Sequence, residues 1–244
     1  MDSGSYAACA GLLARSQQLD LIAQDLANAN TSGYRSVQTT FQAALASSSV
    51  AVPGDWSASL NAFGVLGEPR VTRTAGNLES TGNPLDLAVE GDAFFAVQTP
   101  SGIRYTRDGQ FTLDAKRVLV SREGYPVLGE QGPIIVPSGA FSVSNDGTVS
   151  VDGAVAGKVQ LTQFPASAAL RAEGSTSYSV STGSATTAVN SSIRQGMLES
   201  SNVNAVTSAV QLIALQRTAQ MLQRAMSTFH SDFDRIAAQD LPKV

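Results

Sequence analysis

The C-terminal part of the chain places the strongest constraint on what it can fold into. Between Met197 and Leu241 there is neither proline nor glycine, and apolar residues recur every three or four positions. They form two lines offset by one residue: first Val203, Val206, Val210 and Ile213, then Leu212, Leu215, Ala219, Leu222, Met226, Phe229, Phe233 and Ile236. This period predicts one amphipathic helix over residues 200–238, roughly 55 Å long. A helix with so long and wide an apolar face needs other helices to cover it.

The N-terminal residues predict a second, shorter amphipathic helix over residues 5–30. Its apolar line has heptad-like spacing and consists of Leu12, Leu19, Ile22 and Leu26. Asn and Gly residues between 28 and 33 tolerate the left-handed backbone that ends a helix, so we expect the helix to stop there. The two helices are expected to pack in a coiled-coil-like layer. Because the N-terminal helix is shorter, the remaining apolar length favours packing between chains.

The middle of the chain has the period of β-strands. Short apolar runs alternate with polar residues from about residue 47 to 190, and turn signals such as Asp108-Gly109 and Asp152-Gly153 separate them. Phe94, Phe95 and Phe111 are expected in the β core. The fold class is therefore α+β, with two terminal amphipathic helices around an inserted, mostly antiparallel β domain. We predict an N-terminal helical assembly segment, a linker, a β-rich outer domain and a C-terminal helical assembly segment at residues 1–35, 36–75, 76–192 and 193–244.

Composition weighs against several function classes. Lys and Arg number 16 against 20 Asp and Glu, which gives a net charge of −4 and argues against a nucleic-acid partner. Cys9 and His230 are the single cysteine and histidine, so no intramolecular disulfide and no Cys- or His-rich metal site can form. No apolar run approaches the roughly 20 residues of a membrane span, and no secretory signal opens the chain. We expect no membrane insertion and no cofactor, and either cytoplasmic residence or export without a cleaved signal.

Motifs for catalysis are scarce. The stretch Gly153–Lys158 departs from a phosphate-binding loop in both its glycine spacing and the residue after the lysine, and a glycine-rich hairpin explains it better. Carboxylates of the β region do not single out an acid–base pair. The sequence therefore predicts that the chain is not an enzyme. Two rival hypotheses stay open at this stage: a carboxylate-based hydrolase and a secreted β-rich binding module.

Four separated blocks resemble the signatures of the bacterial flagellar rod and hook family, and they occur in the family's order. The first ends with Leu-Ala-Asn-Ala-Asn-Thr-Ser-Gly-Tyr-Arg at Arg35, although Asp25 stands where Asn is usual. The second spans residues 84–97 and the third spans residues 105–129. The fourth reads Gln-Gly-Met-Leu-Glu-Ser-Ser-Asn-Val-Asn and covers 195–204. The match is weakest over residues 132–190.

The resemblance implies a structural subunit of the flagellar basal-body rod in the periplasm, without a catalytic site. Such a subunit polymerises through its terminal helices and transmits torque. Its partners are other rod subunits, in homo- and hetero-polymers, and the flagellar type III export apparatus, through which it leaves the cytoplasm. The opening residues Met1–Tyr6 and the length are most similar to the proximal rod subunit that adjoins the distal rod, with the distal rod subunit as the alternative.

The resemblance also suggests roles for two sets of residues. A signature turn, expected to redirect the chain from the first helix to the β layer, consists of Asn28, Asn30, Thr31, Gly33 and Tyr34. An ordinary helix cap is the alternative role for these residues. The C-terminal helix is expected to start at Glu199, Ser201 and Asn202, because Ser and Asn accept hydrogen bonds from exposed backbone N–H groups and Glu suits the positive end of a helix.

Overall fold

A computed structural model describes residues 2–38, 41–43, 64–66, 69–166, 168–182, 185–188 and 191–240. In this structure, helix α1 (Asp2–Ala27) comes first and helix α2 (Ala205–Asp240) comes last. The chain divides into two units. The helical unit contains residues 2–26 and 205–240 and the described residues between 39 and 69, and the β unit contains residues 27–38 and the described residues of 70–204.

Between the helices, the described residues form 21 short strands. They are β1 (Val37–Gln38), β2 (Phe41–Ala43), β3 (Gly64–Leu66), β4 (Arg70–Val71), β5 (Leu78–Ser80), β6 (Leu87–Glu90), β7 (Ala93–Thr99), β8 (Gly102–Thr106), β9 (Thr112–Leu113), β10 (Leu119–Val120), β11 (Leu128–Gly129), β12 (Gly132–Pro133), β13 (Phe141–Val143), β14 (Thr148–Val151), β15 (Ala154–Lys158), β16 (Leu161–Gln163), β17 (Ala169–Ala172), β18 (Ser177–Thr182), β19 (Thr186–Thr187), β20 (Ser192–Gln195) and β21 (Met197–Glu199). The pairings among these strands are antiparallel. The predicted α+β class with a mostly antiparallel β region is confirmed.

Both helices differ from their predicted bounds at one or both ends. The first begins earlier, at Asp2, and ends at Ala27, where a turn follows. The second begins at Ala205 rather than near residue 200, which corrects the predicted start at Glu199, Ser201 and Asn202. The cause is tertiary, because Glu199 pairs with Leu78 as part of β21 and the Asn202 side chain is hydrogen-bonded to other segments. No helix in the described part of the chain has the length and apolar character to cross a membrane.

The β unit is built around a six-stranded antiparallel sheet in the order β17-β18-β8-β7-β16-β19. Its central strand β7 is buried on both faces, which is why the sequence there reads as a continuous apolar run rather than an alternation. Phe95 packs edge-on against Phe111 in the main core, with ring centroids 5.0 Å apart. Phe94 lies on the other face of β7, with its ring centroid 5.9 Å from that of Tyr178. The predicted core positions Phe94, Phe95 and Phe111 are all buried.

Three short strand pairs bring the two ends of the β unit to one place. Strand β1 pairs with β4 near its N-terminal end, and β20 and β21 pair with β6 and β5 near its C-terminal end. The Gly33 N–H donates to the Glu199 carbonyl oxygen at 2.7 Å, so the segment that leaves α1 lies against the segment that leads to α2. Part of the predicted linker, at residues 39–40, 44–63 and 67–68, lies outside the described residues.

Candidate functional site

The residues after α1 form a tight turn held by its own backbone. The Thr31 N–H donates to the Asn28 carbonyl at 3.1 Å, and the Tyr34 N–H donates to the Thr31 carbonyl at 3.2 Å. The Thr31 hydroxyl also bonds to the Asn28 side-chain oxygen at 3.2 Å. Asn30 is exposed, whereas Tyr34 is buried. These hydrogen bonds make a turn at the surface of the β unit, with Tyr34 pointing inward.

Gly33 occupies the one position in this turn that no other residue fits. Its φ of 69° lies in the left-handed region. A Cβ atom placed on it would be 2.2 Å from the Asp108 backbone nitrogen and 2.3 Å from the Arg107 carbonyl carbon. Because both obstacles are backbone atoms, a side chain at residue 33 would force two chain segments apart.

Three charged side chains meet beside this turn, and we call Arg35, Arg107 and Glu199 the ion cluster. One Arg35 guanidinium nitrogen lies 2.8 Å from Glu199 Oε1, and one Arg107 nitrogen lies 2.9 Å from Glu199 Oε2. All three side chains are about 1% exposed or less. Glu199 Oε1 also accepts the Gly76 N–H at 3.1 Å. A single carboxylate therefore holds segments from three distant parts of the sequence.

The ion cluster carries one more positive charge than negative charge. Burial lowers the pKa of the Arg107 guanidinium to about 10, with repulsion from Arg35 as a further cause and the Glu199 carboxylate acting in the opposite direction. Backbone carbonyls take up part of the excess, because Arg107 donates to the Val89 oxygen at 3.0 Å and Arg35 donates to the Arg73 oxygen. The Nε atoms of both arginines have no hydrogen-bond partner among the described residues. The cluster is thus well connected but not fully satisfied.

Two aromatic side chains enclose the arginines. The ring centroid of Phe94 lies 4.9 Å from the guanidinium carbon of Arg107 and 5.6 Å from that of Arg35, which is within the range of cation–π attraction. The Tyr178 hydroxyl accepts the backbone N–H of Arg35 at 3.1 Å and donates to the backbone carbonyl of Gly33 at 3.3 Å. Burial raises the pKa of Tyr178 to about 12, so its hydroxyl stays protonated as a donor at neutral pH.

Asn202 extends the same network toward α2. Its side-chain oxygen accepts the Ser36 N–H at 2.8 Å, and its amide nitrogen donates to the Thr72 hydroxyl and the Thr74 carbonyl, both at 2.9 Å. Its own backbone N–H donates to the Tyr34 carbonyl at 3.3 Å. Asn202 therefore joins the segments that lead from α1 and toward α2, a role different from the helix start that its sequence predicted.

The structure brings together residues that the sequence had placed in separate sets. Gly33 and Tyr34 of the signature turn meet Glu199 and Asn202 of the predicted helix start. Ser201 instead caps a local turn, because its hydroxyl accepts the Val203 N–H at 3.2 Å. Sequence reasoning gave no site role to Arg35, Arg107 or Tyr178. Both arginines lie within blocks of the family resemblance, whereas the small polar residues around Tyr178 carry no such signal.

The apolar residues predicted for assembly differ in exposure along the helices. On α1 the side chains of Leu12, Leu19, Ile22 and Leu26 are half-buried. On α2 the first line is exposed, at 75% for Val206, 63% for Val210 and 52% for Ile213. Val203 precedes the helix and is half-buried, as are Leu222 and Met226 of the second line. The side chains of Phe229 and Phe233 lie outside the described residues.

Among the side chains that the structure describes, no group of three His, Cys, Asp or Glu residues is arranged to hold a metal ion. The charged side chains of the ion cluster are instead enclosed by protein. Their arrangement joins chain segments and offers no surface for a substrate.

Comparison with known proteins identifies the relatives of this chain. The family model for the flagellar hook protein FlgE/F/G D1 domain matches residues 88–151, and the model for the flagellar basal body rod FlgEFG protein C-terminal region matches residues 194–239. The flagellar basal-body rod protein FlgF of Mesorhizobium japonicum is 34% identical, over 93% of this chain and 95% of that protein. FlgF of Caulobacter vibrioides is 32% identical over the full length of both chains. The flagellar basal-body rod protein FlgG of Bacillus subtilis is 30% identical, over 91% of this chain and 93% of that protein.

The chain therefore belongs to the flagellar hook and basal-body rod protein family. The predicted resemblance is confirmed, and with it the location in the basal-body rod of the bacterial flagellum, which spans the periplasm. The family is structural, so the chain is not an enzyme.

Proposed function

We propose that this chain is a subunit that polymerises with other rod subunits through its terminal helices and transmits torque across the periplasm. Its relatives are named as basal-body rod proteins, and its helices have the length and apolar pattern that packing between subunits requires. The proposal includes export through the flagellar type III apparatus. It also includes the coiled-coil-like packing of the two helices, and the redirection of the chain by the signature turn.

The exposed apolar line of α2 is the observation that carries this proposal. Val206, Val210 and Ile213 follow one another on the helix at three and four residues, and each is more than half exposed. The β unit, by contrast, keeps its large apolar side chains mostly in its own core. A contiguous line of exposed apolar residues on a helix of 36 residues is typical of a surface that another helix covers.

A triple substitution on this line tests the proposal. The variant Val206→Ser, Val210→Ser, Ile213→Ser removes apolar side chains that are more than half exposed in the single chain, so its urea unfolding midpoint should stay close to that of the unchanged chain. Its incorporation into rods and the motility of complemented cells should be lost. Motile cells with normal rods would contradict the proposal.

The β unit offers a matched control. Ile135 and Val155 are also apolar and are 59% and 72% exposed, but they lie far along the sequence from the helices. The variant Ile135→Ser, Val155→Ser should be exported and incorporated normally. Export of both variants is measured separately, because a chain that never leaves the cytoplasm says nothing about assembly.

We further propose the proximal position in the rod, next to the distal rod subunit. The resemblance of residues Met1–Tyr6 to the proximal subunit supports this position, and the distal position is the alternative. Complementation distinguishes the two: the chain should restore motility to cells that lack the proximal subunit and not to cells that lack the distal one. The reverse result would assign it to the distal rod.

A further inference from the structure

We propose that the ion cluster of Arg35, Arg107 and Glu199 sets the strand register of the segment that leads into α2, and that it adds no stability to the fold. This role rests on the proposed function, in which the terminal helices make the contacts between subunits. The ion cluster joins the segment after α1 to the segment before α2, and we assign to it the positioning of these two segments. Three features of the structure support this role.

The first observation is that the pairing of β21 with β5 specifies the register of β21 poorly, although four residue pairs hold the preceding strand β20 against β6. Only three residue pairs join it to β5: Met197 with Ser80, Leu198 with Glu79 and Glu199 with Leu78. Register is normally fixed because a slip of one residue moves apolar side chains from a buried face to an exposed one. Here the neighbours Leu198 and Glu199 point to opposite faces and are both buried, at 7% and 1% exposure. Burial by itself therefore distinguishes the two registers weakly.

The second observation is that the cluster can be satisfied in one register only. The two oxygens of Glu199 each take a different guanidinium, and Oε1 also accepts the Gly76 N–H. The backbone oxygen of the same residue accepts the Gly33 N–H. A slip of one residue would turn this carboxylate to the other face and place Leu198 between two buried guanidinium groups. It would also shift the residues before α2 by about 3.3 Å along the strand.

The third observation is that stability does not explain why these charges are buried. Two guanidiniums and one carboxylate leave the ion cluster with one positive charge in excess, and two Nε atoms have no partner in the described structure. Apolar side chains of similar volume often replace such a group without loss of stability. Apolar side chains do not fix the strand at one position, because their contacts are not directional and persist when the strand shifts. The best-attested use of a buried polar group is to fix register.

Disulfide cross-linking in the full-length chain, with Cys9 replaced by Ser, measures the register of β21 against β5 directly. Paired residues of an antiparallel ladder lie within disulfide range on the same face. In the Ser80→Cys, Met197→Cys chain the cysteines are opposite each other in the observed register. In the Glu79→Cys, Met197→Cys chain they are opposite each other only after a slip of one residue. With the ion cluster intact, we expect the first pair to cross-link under mild oxidation and the second to remain reduced.

The cluster is then replaced by apolar residues in both cysteine chains, with Arg35→Met, Arg107→Met and Glu199→Leu. We expect both cysteine pairs to cross-link, with the urea midpoint no lower than that of the chain with the intact cluster. Cross-linking of the first pair alone would overturn the register role. An unfolded triple variant would overturn the claim that the cluster adds no stability.

A second variant tests the register without three apolar substitutions. Arg107→Met with Glu199→Gln removes one positive and one negative charge, so the net buried charge is unchanged. We expect the slipped pair to cross-link in this variant as well, and its failure to do so would overturn the register role. All these measurements use the single chain, so their failure leaves the assembly test on α2 unaffected.

Discussion

Replacing Glu199 by Gln is the sharpest test of how the buried charges depend on one another. Gln has nearly the same shape, so it changes the charge without leaving a cavity. Its side-chain oxygen can still accept from one guanidinium, but its amide nitrogen must face the other with two donors opposed. Arg35 and Arg107, each about 1% exposed, would then be buried without the carboxylate that pairs with both of them.

The expected loss follows from this geometry. Glu199 accepts three hydrogen bonds, at 2.8 Å from Arg35, 2.9 Å from Arg107 and 3.1 Å from the Gly76 N–H. Removing one partner of a buried ion pair typically costs about 3–5 kcal/mol, since the charge left behind is uncompensated. With a denaturant slope of roughly 2 kcal/mol per molar urea, the unfolding midpoint should fall by about 2 M.

Urea titration of the full-length chain, followed by far-ultraviolet circular dichroism, measures this change. Glu79 is a control one strand away, because it lies on β5 and is exposed. Glu79→Gln should change the free energy of unfolding by no more than about 0.5 kcal/mol. A Glu199→Gln chain with a midpoint like that of the control would refute the view that this carboxylate compensates the two arginines.

Two further predictions concern the same region. Gly33→Ala combines left-handed strain with the backbone collision at Asp108, so it should lower the free energy of unfolding by about 2–5 kcal/mol. Gly124 is the control, because it has the same left-handed backbone but open space around it. Gly124→Ala should lower the free energy of unfolding by only about 1–2 kcal/mol in the same urea titration. Equal losses for the two variants would show that the collision at residue 33 does not contribute. The pKa of Tyr178 is raised to about 12 in the folded chain, so the unfolded chain releases this proton first and the contribution of Tyr178 to stability should fall by about 2–3 kcal/mol as pH rises from about 10 to 12. The lowered pKa of Arg107 acts in the opposite direction over this range, so the change is measured as the difference between this chain and Tyr178→Phe. Tyr178→Phe should lack this fall, and parallel curves of unfolding free energy against pH for the two chains would show that the hydroxyl is not responsible.

The sequence predicted α2 because its period of three and four residues is long and uninterrupted, and it predicted the β region because short alternating runs are separated by turn signals. The absence of proline and glycine over α2 indicates a single long helix. The alternating runs in the middle of the chain indicate short antiparallel strands. The start of α2 was predicted too early because Ser201 and Asn202 have the residue types of a helix cap. In the structure the Asn202 side chain bonds to Ser36, Thr72 and Thr74, and such partners from distant segments cannot be read from a local pattern.

The ion cluster could not be predicted from the sequence, because its three residues lie in distant segments. Arg35, Arg107 and Glu199 are each ordinary charged residues in their own segments, and a charged residue is expected at the surface. They come together only in the tertiary structure, where β21 lies beside β5 and the turn at Gly33 packs against the backbone of Arg107 and Asp108. The signature residues around Gly33 and Glu199 pointed to the correct place but not to its chemistry.

The hydrogen bond between Gly33 and Glu199 has a mechanical consequence. A force that pulls on the chain just after α1 and a force that pulls just before α2 meet at Glu199, which lies in the segment before α2 and holds the segment after α1 through its backbone oxygen, at Gly33, and its side chain, at Arg35. Stiffness at that point comes from short, directional bonds instead of deformable apolar contacts. A twisting load on either segment is therefore shared between both before it reaches the six-stranded sheet.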